Sequence, residues 1–188
     1  MFEVAPDLRR VVGALTGESN DSPFSGVRQL EELVLLPSCG IRHAQTWHEF
    51  APGSFASLNI LDMHWSDRLH PRLSSFTALR TLTIRIEREE TGSRKDPSTL
   101  HSLHSALRRL PPFLSILVIT YQGYDTSPDF TSSTILLSAL NKQQRGTALP
   151  ALHELRIKAC RARGELWDER ERLKAGFAAN GTVFLVEP

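Results

Sequence analysis

A chain of 188 residues with 40% hydrophobic content can bury one substantial core, and domains of roughly 100 to 200 residues are usual, so a single domain is expected. The 22 Lys and Arg against 21 Asp and Glu leave a formal charge of +1, too little for a broad field that would capture nucleic acid or an anionic membrane. Two cysteines, Cys39 and Cys160, without a zinc spacing or disulfide framework, no basic-then-apolar leader in Met1 to Arg10, and no run of about 18 apolar residues predict an intracellular protein, cytoplasmic or nuclear.

Along the chain one pattern repeats. Residues 1–29 hold only Leu8-x-x-Val11, a degenerate repeat or a cap. Then Leu-x-x-Leu-x-Leu, with conservative replacements, occurs at Leu30-Leu33-Leu35, Leu58-Leu61-Met63, Leu79-Leu82-Ile84, Leu114-Leu117-Ile119 and Leu152-Leu155-Ile157. An apolar residue stands three positions ahead of most copies, at Val27, Phe55, Phe76 and Leu149, and the fourth copy has Pro111 there with Leu110 one step earlier. The last two apolar positions of each copy alternate with other residues, which is strand periodicity, so each copy predicts one short strand.

Between the copies, apolar residues at spacings of three and four predict helices over 42–50, 99–109, 132–143 and 167–180. Their inward candidates include Leu100, Leu103, Leu107 and Leu110, then Ile135, Leu136 and Leu140, then Trp167, Leu173 and Phe177. The stretch from Ser66 to Phe76 is too short and proline-broken for a regular helix. Asn180-Gly181 reads as a helix stop rather than a glycosylation site. Thr182 to Val186 is β-rich and predicts a sixth strand that ends the sheet.

A strand of this kind cannot cover its own inner face, so neighbouring copies must stack in parallel, joined by segments that return over the other face. The expected fold is therefore α/β: a short, irregular solenoid with a parallel sheet on its concave face and helices on the outer face. Its parts are an opening cap or degenerate repeat over 1–29, repeats over 30–166, and a closing helix and strand over 167–188. A doubly wound α/β domain is the competing reading, although its strands are usually continuous apolar runs.

The pattern resembles the repeat tails of fungal F-box and leucine-rich-repeat proteins over roughly residues 24–188. Its most specific piece is Leu152-His153-Glu154-Leu155-Arg156-Ile157-Lys158-Ala159-Cys160, similar to the cysteine-containing class of such repeats, in which the cysteine turns inward. Leu30 to Leu35 is followed by Cys39 one place late, and the other copies put Ser66, Glu87 and Gln122 at that position, implying less regular turns. The resemblance implies an adaptor that recruits substrates to a ubiquitin ligase, but the segment before the first repeat is too short for an F-box. The chain is then the repeat portion of a longer protein or a stand-alone relative without the adaptor module.

Motifs for catalysis are absent from the sequence. There is no phosphate-binding loop and no Gly-x-Ser-x-Gly elbow; Gly53-Ser54-Phe55-Ala56-Ser57 lacks the second glycine. His101 and His104 supply two ligands where zinc needs three or four, and His43 with His48 does not match the helical zinc motif. Cys160 is expected as a buried thiol rather than a nucleophile beside His153. No catalytic residue, cofactor or metal is assigned, and the chain is not expected to be an enzyme. The mixed-charge run 87–97 reads as a loop, either solvated or used in binding, and the Tyr-containing stretch 121–131 as a recognition loop or one whose rings pack locally.

Residues alternating with the inward leucines form three rows across the concave face. The first holds Glu32, Ile60, Thr81, Ile116 and Glu154; the second Val34, Asp62, Thr83, Val118 and Arg156; the third Leu36, His64, Arg85, Thr120 and Lys158. An apolar stripe bordered by His64, Arg85, Arg156 and Lys158 is the composition of a protein interface. The expected function is thus non-catalytic binding of a protein partner, with the cations selecting acidic groups. A structural fragment with no partner of its own, or an enzyme with an unrecognised site, is the alternative.

Overall fold

Each copy of the repeat ends in a strand, and in the computed structural model these strands lie side by side. The structure describes residues 9–13, 29–35, 55–65, 73–87, 103, 105–122, 140–141, 149–159 and 166–187. The strands are β1 Arg10–Gly13, β2 Glu32–Leu35, β3 Ile60–His64, β4 Thr81–Glu87, β5 Ile116–Gln122, β6 Glu154–Ala159 and β7 Val183–Glu187. They form one seven-stranded sheet in the order β1-β2-β3-β4-β5-β6-β7, every adjacent pair parallel. Sequential order has no reversal, so the doubly wound arrangement, which needs one, is not the fold.

Register follows the repeat. Leu33, Leu61, Leu82, Leu117 and Leu155 are aligned across neighbouring strands, with Val11 before them and Phe184 after. The five leucines are fully buried. Leu30, Leu58, Leu79, Leu114 and Leu152, the first position of each copy, join the same core. The residue three ahead closes a tight turn: the amides of Leu58, Leu79, Leu114 and Leu152 donate to the carbonyls of Phe55, Phe76, Pro111 and Leu149 at 3.1 to 3.2 Å. Pro111 fits because the bond that closes the turn needs only the carbonyl of that position, which proline retains. Phe55 meets Phe76 edge to face at 5.3 Å, joining two of these turns.

A second device locks each strand to the one before. The carbonyl of Arg9 accepts both amides of Glu31 and Glu32, that of Glu31 accepts Asn59 and Ile60, and that of Asn59 accepts Arg80 and Thr81. Arg80 does the same for Ser115 and Ile116, and Ser115 for His153 and Glu154, all between 2.8 and 3.2 Å. At the last step His153 accepts the Val183 amide at 2.8 Å. Side chains add to this edge: Ser57 Oγ donates to the Leu30 carbonyl at 3.1 Å, and Thr182 Oγ1 to the Leu152 carbonyl at 2.5 Å.

The returning segments pack on the leucine side. Leu103, Leu107, Leu110, Leu140, Leu173 and Phe177 belong to the same buried cluster as the strand leucines. Residues 103 and 105–107 are helical within the segment expected at 99–109, and 140–141 within that expected at 132–143. A short 3-10 turn at Leu73–Ser75 replaces a regular helix where Pro71 interrupts the sequence. The helix expected at 42–50, together with Leu36, Cys39, Cys160, His101 and His104, lies outside the described residues. So does the side chain of Trp167.

The last helix, α1, spans Leu166–Ala178, close to the expected 167–180. Its end is a Schellman motif: the Thr182 amide reaches the Phe177 carbonyl at 3.1 Å and the Gly181 amide the Ala178 carbonyl at 3.0 Å. Gly181 sits at φ 74°, the left-handed region that a side chain disfavours. Phe177 then rests on Phe184 at 5.4 Å, fixing α1 to β7. Thr182 is only 2% exposed, so this sequon is a structural turn.

Two expectations are refined at element boundaries. β1 is a full member of the sheet rather than an uncertain cap, paired from Arg10 to Gly13 with Glu32 to Leu35. Glu87 and the pair Tyr121-Gln122, expected to start loops, are the last residues of β4 and β5, with Glu87 opposite Gln122 and Ile86 opposite Tyr121.

Candidate functional site

Parallel sheets are usually covered on both faces by helices and read as continuous apolar runs. Here the central strands alternate instead, buried on one side and half-buried or exposed on the other, as in β2 and β3. The side facing away from the leucines is the candidate site. The structure places Ile60, Asp62, His64, Thr81, Arg85, Ile116, Val118, Glu154, Arg156, Lys158 and Val34 on it, in the rows the alternation predicts. Leu36 alone of the expected residues falls outside the described part.

The face is wider than the five copies suggest. β1 adds Arg10 and Val12, and β7 adds Val183, Leu185 and Glu187, in register with Glu154, Arg156 and Lys158. Val12 at 53%, Ile60 at 39%, Val183 at 56% and Leu185 at 38% are the large apolar side chains that this face exposes most among the described residues. Three of these four lie outside the expected contacts. The alternation in Thr182 to Val186 is a sufficient signal for the β7 pair, whereas four residues of β1 are too few to fix a register.

Electrostatically the face is self-neutralising. Arg10 Nε lies 2.9 Å from Glu32 Oε2 across β1 and β2, and Arg85 is hydrogen-bonded to Asp62 across β3 and β4. Arg156 holds Glu154 on its own strand and lies 3.7 Å from Glu187, and Lys158 reaches the other Glu187 oxygen at 3.1 Å. Arg10, Arg85, Arg156 and Lys158 are thus matched by Glu32, Asp62, Glu154 and Glu187. The hydrogen bond and charge of Glu154, aided by Glu187, raise the Arg156 pKa above its ordinary value against a smaller desolvation effect.

Arg85, Arg156 and Lys158, expected to select acidic groups on a partner, each lie beside a carboxylate of this same face. Between the two charged clusters, β4 and β5 leave a strip without charge: Thr81, Thr83 and Thr120 beside Ile116 and Val118, with Ile60 next in register. All are β-branched, so their rotamers are few and the strip is stiff. A partner would meet an apolar and hydroxyl-bearing centre, with ion pairs on either side.

At the turn end of the sheet Phe113 is 52% exposed, with the Arg80 guanidinium 5.3 Å from its ring centre. Arg80 also donates to the Phe113 carbonyl at 3.3 Å, which holds the stack in place. Among the described residues no group of three or more His, Cys, Asp or Glu could hold a metal ion, and no helix is long and apolar enough to cross a membrane. Comparison with family models, with curated proteins and with solved structures finds no match to this chain.

Proposed function

We propose that the chain is a short leucine-rich-repeat solenoid that binds a protein partner on its open sheet face and is not an enzyme. The observation that carries this reading is a parallel sheet with one side that no described element covers, with exposed Ile60, Val183 and Leu185 set among paired charges. An apolar centre with a polar border suits a protein surface better than a nucleic acid, which would demand unpaired cations. The narrower role, recruiting substrates to a ubiquitin ligase, rests on the F-box resemblance alone.

The test is capture of partners from native cell extract, followed by calorimetry on the partner found. Ile60→Thr with Ile116→Thr keeps β-branched shape but removes apolar contact, and should weaken binding about tenfold, as expected for roughly 1.4 kcal/mol. Lys174→Glu, on the exposed side of α1, should leave affinity unchanged. Normal binding by the paired threonine variant, with loss in Lys174→Glu, would move the site to the helical side and end this proposal.

A further inference from the structure

The chain has four asparagines, and Asn180 is the one followed by glycine; the others precede Asp21, Ile60 and Lys142. Asparagine is thermolabile because a backbone amide nitrogen can attack its side-chain carbonyl, and glycine, without a Cβ, obstructs that attack least. In this turn both reacting groups are engaged. Asn180 Nδ2 donates to the Gly176 carbonyl at 2.8 Å, one turn back along α1, and the Gly181 amide donates to the Ala178 carbonyl at 3.0 Å. Gly181 is held at φ 74°, and beyond it the Thr182 amide and hydroxyl bind the Phe177 and Leu152 carbonyls. The attack requires the Asn180 side chain to swing forward onto Gly181, which breaks the first bond. It also requires the Gly181 amide to give up its proton, which the second bond opposes.

We infer that Asn180 is a self-modification site which the corner between α1 and β7 keeps closed, and whose product stops the corner from closing again. When the corner opens, the Gly181 nitrogen bonds to the Asn180 side-chain carbonyl carbon. The bond from that carbon to Nδ2 breaks, and ammonia leaves with the Gly181 amide proton. Asn180 is exposed, so water reaches the resulting succinimide and opens it at either carbonyl, giving aspartate or isoaspartate with no other reagent. Either product carries a carboxylate, which cannot donate to the Gly176 carbonyl and lies at the negative end of the helix dipole. Isoaspartate also routes the main chain through the former side chain and lengthens it, so the Schellman bonds of Gly181 and Thr182 lose their register. Phe177 and Phe184, 5.4 Å apart, then lose the turn that brings α1 onto β7. Local openings are ordinary in folded proteins, and here a brief one leaves a permanent mark.

The test incubates the full chain at mildly alkaline pH, folded or in urea, and follows amide-to-acid conversion by mass spectrometry of the tryptic peptide that begins at Ala175. Urea should speed conversion at Asn180 by at least about a hundredfold, because the closed corner excludes the reaction. Phe184→Leu, which thins the contact with Phe177, should speed it about tenfold in the folded chain and leave the rate in urea unchanged. The modified chain, separated by its added negative charge, should exchange the Val183 amide hydrogen, now bound to the His153 carbonyl, at least about tenfold faster than the unmodified chain. Asn180→Asp supplies the aspartate product without incubation and should show part of that loss. Equal rates folded and in urea overturn the proposal, as does a folded rate that Phe184→Leu leaves unchanged. So does a modified chain whose Val183 amide exchanges at the original rate, because the corner then closes over the product. Circular dichroism checks the fold of Phe184→Leu, and should it fail to fold, the comparison with urea and the exchange of the modified chain decide. None of these outcomes involves a partner, so this proposal and that of partner binding fail separately.

Discussion

Leu82 and Thr83 are consecutive residues of β4, yet one is fully buried against the returning segments and the other half-exposed on the open face. The same contrast runs through every central strand, Leu61 beside Asp62 and Leu117 beside Val118. The core side is the same chemistry repeated, leucine on leucine, and therefore carries stability and little information. The open side differs from strand to strand, apolar here and ion-paired there, and so can carry recognition without disturbing the core. Alternation with period two lets one segment serve both purposes.

Leu82→Ala is the strongest way to break that contrast. It should cost about 2 to 5 kcal/mol, because a cavity opens in the middle of stacked leucines. Denaturant titration at constant m-value measures it, and a loss below about 1 kcal/mol would mean that the core side is not the stabilising one. Thr182→Val sharpens the contrast from the inside, since Thr182 is a hydroxyl on the buried side, satisfied by the Leu152 carbonyl. Removing the hydroxyl while keeping the shape should cost about 1 to 2 kcal/mol; a neutral result would show that burial of the methyl is all that matters there. The smallest effect belongs to Thr83→Ala, expected under about 1 kcal/mol by the same titration. A loss equal to that of Leu82→Ala would show that the open face is covered.

The core side is legible in the sequence because leucine spacing encodes it directly. Five copies place five strands, their register and their shared core, and Asn180-Gly181 marks the end of α1 by its turn chemistry alone. The ion pairs are harder to read. Asp62 and Arg85 are neighbours in space but lie in different copies, so their contact becomes visible only when the rows are read diagonally, β3 against β4. Glu187 pairs with Arg156 and Lys158 from a strand that belongs to none of the five copies and so to none of their rows. β1 is ambiguous because Arg10-Val11-Val12-Gly13 offers one inward apolar side chain where β2 offers two, and only pairing with β2 establishes it.

The ladder of shared carbonyls has a further consequence for how this chain tolerates change. Each strand takes its phase from a peptide group of the strand before it, not from the length of chain between them. Successive copies begin 28, 21, 35 and 38 residues apart, yet the register from β2 to β6 does not slip. Lengthening a connection adds only a slowly growing closure entropy, about 0.6 kcal/mol per doubling. The long connections after β4 and β5 are thus natural grafting points, where a foreign peptide or a small tag could be spliced in while the sheet beside it keeps its spacing.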